Sequence, residues 1–383
     1  MRITTLLYAN VRIIKRSCPI AFYDQVVVFS HKNTMNTKMD NTYIPPSYRS
    51  LLDIWQTEQA IKFIKETFQT ELSGELKLRR VTAPLIVKEG TGLNDNLNGT
   101  EEPVRFPLKT LSGKQVEIVQ SLAKWKRYAL WRHHIEPGMG IYTDMNAIRP
   151  DEITDNLHSI YVDQWDWEKV ILPEERTEKT LRRCVKSIYY AIKRTQFLLS
   201  ERFHQLPPYL PHDIFFIHAE ELRRLFPGLS PKERENAITK EYGAVFIQGI
   251  GGPLGDGTVH DGRSPDYDDW STETGPGFSG LNGDIIIYHP ELDTAVELSS
   301  MGIRVNPQSL RYQLERANAM DRASLKFHKL LLDNTLPQTM GGGIGQSRLC
   351  MLLLRKCHIG EVQSSVWPQS TLETCAKANV FLF

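Results

Sequence analysis

The sequence predicts an α+β fold, a largely antiparallel β-sheet flanked by helices. Three observations carry that expectation. Strand-like runs at 244–250, 284–289 and 294–299 are separated by Gly- and Asp-rich turns of hairpin length. Long helical patterns precede and follow them. The regular strand–helix alternation of a doubly wound parallel sheet is missing.

Taken in order, Leu51, Leu52, Trp55, Ile61, Ile64 and Phe68 recur at helical spacing and predict a helix over 48–72. Residues 78–87 read as a strand, and Pro84 inside it, lacking an N–H to donate, places it at an edge or interface. The run 115–120 alternates as a strand, with Val116, Ile118 and Gln120 on one face and Glu117 and Val119 on the other. A second long helix over 180–203 carries Leu181, Val185, Ile188 and Ile192 on one stripe. Short helices follow at 219–225, stopped by Pro227-Gly228, and at 231–242, stopped by Gly243. Residues 308–332 are predicted helical throughout, and 346–354 as a helix opening from a glycine cluster.

No internal repeat occurs, and no linker divides the chain after about residue 45, so 43–383 are read as a single domain. Residues 1–42 differ in composition. Arg2, Arg12, Lys15, Arg16, Lys32 and Lys38 face only Asp24 and Asp40. They are read as a non-structural extension or an upstream start, with Met35 or Met39 the true beginning; an organelle transit peptide is the alternative.

An apolar content of 41% and a charged content of 24% fit a soluble globular protein. Lys plus Arg number 46 against 45 Asp plus Glu. That balance argues against a nucleic-acid partner, which would demand a basic excess. The five cysteines form no Cys-x-x-Cys pair, which suits reduced thiols and a cytoplasmic location better than disulfides or zinc. No apolar stretch approaches the length that spans a bilayer, so no membrane partner is expected.

Gly275-Pro-Gly277-Phe-Ser-Gly280 matches the dinucleotide fingerprint in letters only, because a strand, not a helix, follows; a turn is expected. Gly341-Gly342-Gly343-Ile344-Gly345 does lead into a helix, with Arg348 in reach of a nucleotide; it reads either as a ligand cradle or as a tight packing turn. Arg149-Pro-Asp-Glu152 and Asp163-Gln164-Trp165-Asp166-Trp167-Glu168 are charged runs, the second resembling a solvated edge strand with aromatic packing. Asp266-Tyr-Asp268-Asp269 is an acidic loop or an Asx-rich turn. Glu297 and Arg304 interrupt an otherwise apolar run, where charges are costly unless paired or bound to a ligand or metal. Asp284 at the head of its strand, beside Glu297 if the two strands pair, would offer oxygens suited to Mg²⁺ next to phosphates.

Arg149 within Arg-Pro-Asp-Glu, the strand Glu297 followed by Ser-Ser, and the glycine cluster ending in Arg348 resemble the motifs of class II aminoacyl-tRNA synthetases. Pro84 matches their first-motif proline, which lies at a dimer interface. The finer resemblance is to the ammonia-dependent asparagine synthetases, which share that catalytic fold. The strings GLNDNL, SLAKWKR, IRPDE, LHSIYVDQWDWE, PDYDDWST, GLNGDI, ELSSMGIRV, PQTMGGGIGQSRL and VWP follow that family's order from about residue 43 to 368.

The resemblance implies an aspartate–ammonia ligase consuming ATP with Mg²⁺ and releasing AMP, pyrophosphate and asparagine, working as a homodimer. It implies aspartate-side contacts from Asp95, Ser121, Lys126, Gln164, Asp166, Asp268, Ser300 and Arg304. ATP-side and metal roles fall to Arg149, Asp284, Glu297 and Arg348, with Asp284 and Glu297 the metal ligands. Asp95, Arg149, Asp268 and Arg348 are the expected catalytic set, and Asp95 and Asp268 the candidates for handling the ammonium proton. No cysteine sits in a nucleophile setting, which points to free ammonium over glutamine. The rivals are a class II synthetase-like paralogue and a non-catalytic regulator on the same fold.

Overall fold

The computed structural model describes residues 41–95, 97 and 101–383. The basic N-terminal extension, but for its last two residues, therefore lies outside the described residues.

Helix α1 (Ile54–Leu76) starts later than its apolar pattern does, because Asp53 and Gln56 close a capping box that fixes the first turn. The strand expected at 78–87 is two strands, β1 (Leu78–Arg80) and β2 (Ile86–Lys88), which enter different sheets on either side of Pro84. Strands β3 (Arg105–Leu108) and β4 (Lys114–Ile118) join β2 in a three-stranded antiparallel sheet with β4 central. Helix α2 (Ala123–Arg132) leads into β5 (Gly140–Ile148), which the sequence pattern left undefined, and its partner β6 (Tyr161–Val170). The long helix α3 (Glu178–Arg202) buries Leu181, Val185, Ile188 and Ile192 completely. Then come β7 (Phe215–His218), α4 (Ala219–Leu225), α5 (Pro231–Tyr242) and β8 (Ala244–Gln248). Gly243, at φ 74°, ends α5 where a side chain would be strained.

The false fingerprint at 275–280 is a hairpin of β9 (Glu273–Gly275) and β10 (Phe278–Ser279), with Gly277 in the left-handed region. Strands β11 (Asn282–His289) and β12 (Thr294–Ile303) pair as expected. The single helix expected over 308–332 is broken into α6 (Pro307–Arg316) and α7 (Lys326–Leu332), with a 3₁₀ turn over 320–324 between them. Asn318 takes positive φ there and ends the first helix. Strand β13 (Thr339–Gly345), helix α8 (Gln346–Leu353) and helix α9 (Gln369–Lys377) complete the described chain.

The main sheet has eight strands in the order β1-β5-β6-β13-β12-β11-β8-β7. Every pairing within it is antiparallel except at the two margins, where β1 joins β5 and β7 joins β8 in parallel. Helices α1 and α3 cover one face, and Phe68 of α1 packs on Trp165 with ring centroids 4.7 Å apart. The other face, between β6, β13 and β12, is the floor of a cleft.

Candidate active site

Alternation along three adjacent strands builds the floor. In β6, Trp165 and Trp167 are wholly buried in the core, while Gln164 and Asp166 of the other face line the cleft and Glu168 lies beneath its wall. The acidic, Trp-containing run is thus a central strand, contrary to the solvated edge expected. Its carboxylates tolerate that position because each meets a cation.

The glycine run that follows is neither a loop nor a turn. Gly341, Gly342 and Gly343 are extended residues of β13, paired with Glu168, Trp167 and Asp166 of β6. Their smallness makes room for neighbours. A Cβ at Gly343 would stand 2.6 Å from Asp166 Oδ1, and one at Gly341 would collide with the Glu168 carboxylate. The packing-turn reading of these glycines is corrected accordingly: they are strand residues that admit the side chains of β6 into the cleft, and Gly342, Gly343 and Gly345 themselves line it.

The cleft, about 390 Å³, lies over this floor. Ser121, Lys126, Arg149, Gln164, Asp166, Asp268, Glu297, Ser300, Arg304 and Arg348 all line it. Asp95 and Asp284 stand behind the wall: Arg263, itself a lining residue, donates to Asp284 Oδ1 at 2.6 Å, and Asp95 is buried beside Lys124 at 3.7 Å.

Part of the cleft lining is a chain of alternating buried charges. Arg304 donates to both Glu168 oxygens, Nε to Oε1 at 3.0 Å and Nη2 to Oε2 at 2.7 Å, and pairs through Nη1 with Asp268 Oδ1. Thr339 donates its hydroxyl to Glu168 Oε1 at 2.7 Å. Burial would depress the Arg304 guanidinium, yet Glu168 and Asp268 raise it above its ordinary range. Arg304, expected to hold substrate carboxylate, is therefore already doubly paired and acts first as a brace for two acids. The second oxygen of Asp268 accepts no hydrogen bond, with Arg263 Nε 3.5 Å away. Lys126 donates to the Gly342 carbonyl at 2.8 Å and pairs with Asp166 Oδ2 at 3.2 Å. Burial pulls its ammonium pKa down against the pull of Asp166.

Two further arginines line the cleft. Arg149 lies beyond the end of β5 and reaches the Gln120 carbonyl at 3.4 Å, while its Nε has no hydrogen-bond partner among the described residues. Arg348, in the first turn of α8, donates to the Glu297 carbonyl at 2.8 Å. Asp163 fixes that helix start by accepting the Ser347 N–H at 3.0 Å. Asp284 faces Ser300 across the β11–β12 pair, with a bulge between it and Glu297, and Glu297 adds to the burial that pushes Asp284 up to about 8 against the pull of Arg263.

Four functional positions escaped the sequence reading: Glu168 as a brace, Arg263 as the partner of two acids, and Lys124 with Asp266 around Asp95. Arg263 sits in an irregular loop with no periodic signal. Lys124 stands on a helix, where a lysine ordinarily faces water.

A model of the aspartate–ammonia ligase family matches residues 55–379. The chain belongs to the aspartate–ammonia ligase family. The ligase of Bacteroides fragilis is 56% identical over 338 residues, covering 88% of this chain and 98% of that one. The ligase of Ruminiclostridium cellulolyticum is 54% identical over 344 residues, covering 90% and 100%. Among solved structures, the asparaginyl-tRNA synthetase of Pyrococcus horikoshii complexed with asparaginyl-adenylate superposes with a TM-score of 0.59 at 16% identity, over 82% of this chain and 70% of that one. The asparaginyl-tRNA synthetase of Entamoeba histolytica, also with asparaginyl-adenylate, gives 0.59 at 13%, over 81% and 66%. At such identities the likeness concerns the fold, and it bears out the class II synthetase-like α+β core expected from the sequence.

Proposed function

We propose that the chain makes asparagine from aspartate, ammonia and ATP through a β-aspartyl adenylate, releasing AMP and pyrophosphate. The observation that carries this reading is one cleft that gathers both kinds of group: Arg149 and Arg348 line it together with the Lys126–Asp166 and Arg304–Asp268 pairs.

In the first step two anions must react, so cationic groups near the α-phosphate have to offset the charge that develops there. We assign that task to Arg149, whose Nε has no hydrogen-bond partner among the described residues, and the nucleotide to Arg348. Lys126 and the free oxygen of Asp268 suit the carboxylate and ammonium of an amino acid. Aligning the β-carboxylate with phosphorus then supplies much of the acceleration.

Asp284 and Glu297 fit a divalent cation. They are hard oxygen donors on adjacent strands, and burial together with Glu297 pushes Asp284 up despite the pull of Arg263. No cluster of three or more metal-binding side chains occurs among the described residues, so phosphate and water oxygens would complete the shell. Bound there, Mg²⁺ would neutralise phosphate charge.

In the second step ammonium passes one proton to a carboxylate, breaking N–H and forming O–H. The nitrogen lone pair attacks the activated carbonyl carbon. C–N forms, the bond to the AMP oxygen breaks with its electron pair leaving on AMP, and the nitrogen sheds a second proton to solvent. Asp95 is the carboxylate proposed for the first proton, since burial above all pushes it up to about 6. We also propose a homodimer joined along the Pro84 segment, where Leu85 and Ile86 are exposed.

Incubation with aspartate, ATP, Mg²⁺ and ammonium, without tRNA, is expected to yield asparagine and AMP in equal amounts by mass spectrometry. Strict dependence on tRNA, or no pyrophosphate release with any substrate combination, would overturn the reading.

A further inference from the structure

Behind the cleft wall lies a second buried charge cluster whose arrangement the first step does not use. Lys124, on the first turn of α2, is only 4% exposed. Its ammonium lies 3.1 Å from Asp266 Oδ2 and 3.7 Å from Asp95 Oδ1. Asp266 is saturated by other partners. His328 Nε2 stands 2.9 Å and Arg322 Nη1 3.2 Å from the same Oδ2, and Ser264 donates its hydroxyl to Oδ1 at 2.7 Å. Asp95 is the opposite case. Both of its oxygens are buried and accept no hydrogen bond among the described residues.

A lysine held this way is unusual. Burying an ammonium is costly unless a fixed anion stays close, and here Asp266 provides the anion. The Asp266 platform needs three different elements: the loop before β9, the 3₁₀ turn over 320–324 and helix α7. Three cationic or donor groups on one oxygen are more than Asp266 needs for its own burial. The surplus leaves Lys124 free to act on the unsatisfied Asp95.

We propose that Lys124, seated on Asp266, His328 and Arg322, is the positioning residue that sets the charge of Asp95 at the ammonium step. This rests on the asparagine-forming reading above and adds to it the group that governs the proton acceptor. The charged and titratable groups around Asp95 are Lys124 from α2, Asp266 and Tyr267 from the loop before β9, Arg322 from the 3₁₀ turn and Arg149 from the end of β5. Lys124 is the largest of the influences that favour the carboxylate, and Asp266 opposes it. The two partners must therefore move Asp95 in opposite directions. A purely structural pair would not.

The test uses the full chain and two assays, ATP–pyrophosphate exchange with aspartate and asparagine formation at saturating ammonium, each across pH. Lys124→Met is expected to move the acid limb of asparagine formation to higher pH by about one unit or more, since a unit charge about 4 Å away governs it. Asp266→Asn is expected to move it to lower pH, and Lys124→Arg to restore the wild-type limb. Exchange should fall several-fold less than asparagine formation in Lys124→Met and Asp266→Asn. If Lys124→Met fails to fold, the opposed shift in Asp266→Asn and the unshifted limb of Lys124→Arg still decide. Shifts in one direction for both partners, no shift, or equal losses in both assays would overturn the proposal. Absence of exchange in the wild-type protein would instead remove the reading beneath it, and the proposal with it.

Discussion

The glycines of β13 separate stability from substrate binding within two adjacent residues. Alternation along the strand turns Gly343 toward the cleft and Gly342 toward the core. An added methyl at Gly343 meets the ends of two side chains, Gln164 Oε1 and, at 2.6 Å, Asp166 Oδ1. Both can swing aside, so the fold should survive, but they line the cleft and Asp166 holds Lys126. A misplacement of about 1 Å at such a site costs on the order of a hundredfold in rate. A methyl at Gly342 meets Met301 Cβ at 2.6 Å and the Ser300 carbonyl at 2.8 Å, atoms tied to the backbone of β12. Overpacking of that kind costs about 1–3 kcal/mol. Gly343→Ala is therefore expected to keep its urea midpoint while kcat/KM for aspartate in pyrophosphate exchange falls roughly a hundredfold. Gly342→Ala is expected to lower the midpoint, with the smaller kinetic loss. Equal kinetics in Gly343→Ala and wild type, or a collapse of its stability alone, would refute the assignment of the two faces.

Further expectations follow from the charges. Arg149→Ala should reduce exchange by about two to three orders of magnitude, the usual cost of a lost transition-state donor, with little change in Tm. Asp284 has a folded pKa raised to about 8, above its unfolded value, so its protonated form stabilises the fold and that contribution is lost as pH climbs from about 4 through 8. Asp284→Asn should consequently be more stable than wild type at pH 8 by urea unfolding, yet lose activity with Mg²⁺ and ATP. Glu168→Ala should cost about 3 kcal/mol or more in unfolding free energy, because Arg304 keeps only Asp268 as a counter-ion. Asp95→Asn should depress asparagine formation far more than exchange; equal losses in the two assays would deny it the ammonium proton.

Much of the fold was legible because its helices announce themselves. Capped, apolar-striped segments such as α3, α4 and α5 fall where their sequences place them. The central strands were harder. β6 carries Asp163, Asp166 and Glu168, and no local rule puts three carboxylates in the middle of a sheet; only the partners Lys65, Lys126 and Arg304, far away in sequence, make it tolerable. β13 reads as a loop by composition, since glycines weaken strands. Here their neighbours on β6 and β12 need the space. The site residues were recognised through the family strings, whereas the braces behind them, Arg263 and Lys124, carry no local signal at all.

That division has a physical cause that also explains the build of the site. Groups meant to meet ATP and aspartate must be charged and must sit in a poorly solvated cleft, where each alone would neutralise itself. Arg304 stays charged because Glu168 and Asp268 flank it, and the second oxygen of Asp268, with Arg263 at 3.5 Å, accepts no hydrogen bond. Asp95 and Asp284 are two acids whose cationic neighbours do not offset their burial, and both are pushed upward, to about 6 and about 8. An under-compensated acid lowers stability at neutral pH, so its persistence requires a counter-charge supplied by what binds. For Asp284 that is a divalent cation with phosphates, and for Asp95 an ammonium ion. On this argument ammonium and Mg²⁺-ATP should each raise the Tm of the wild-type protein at pH 8. The ammonium increment should vanish in Asp95→Asn and the Mg²⁺ increment in Asp284→Asn; increments that persist in both variants would show that the two acids are not where the ligands bind.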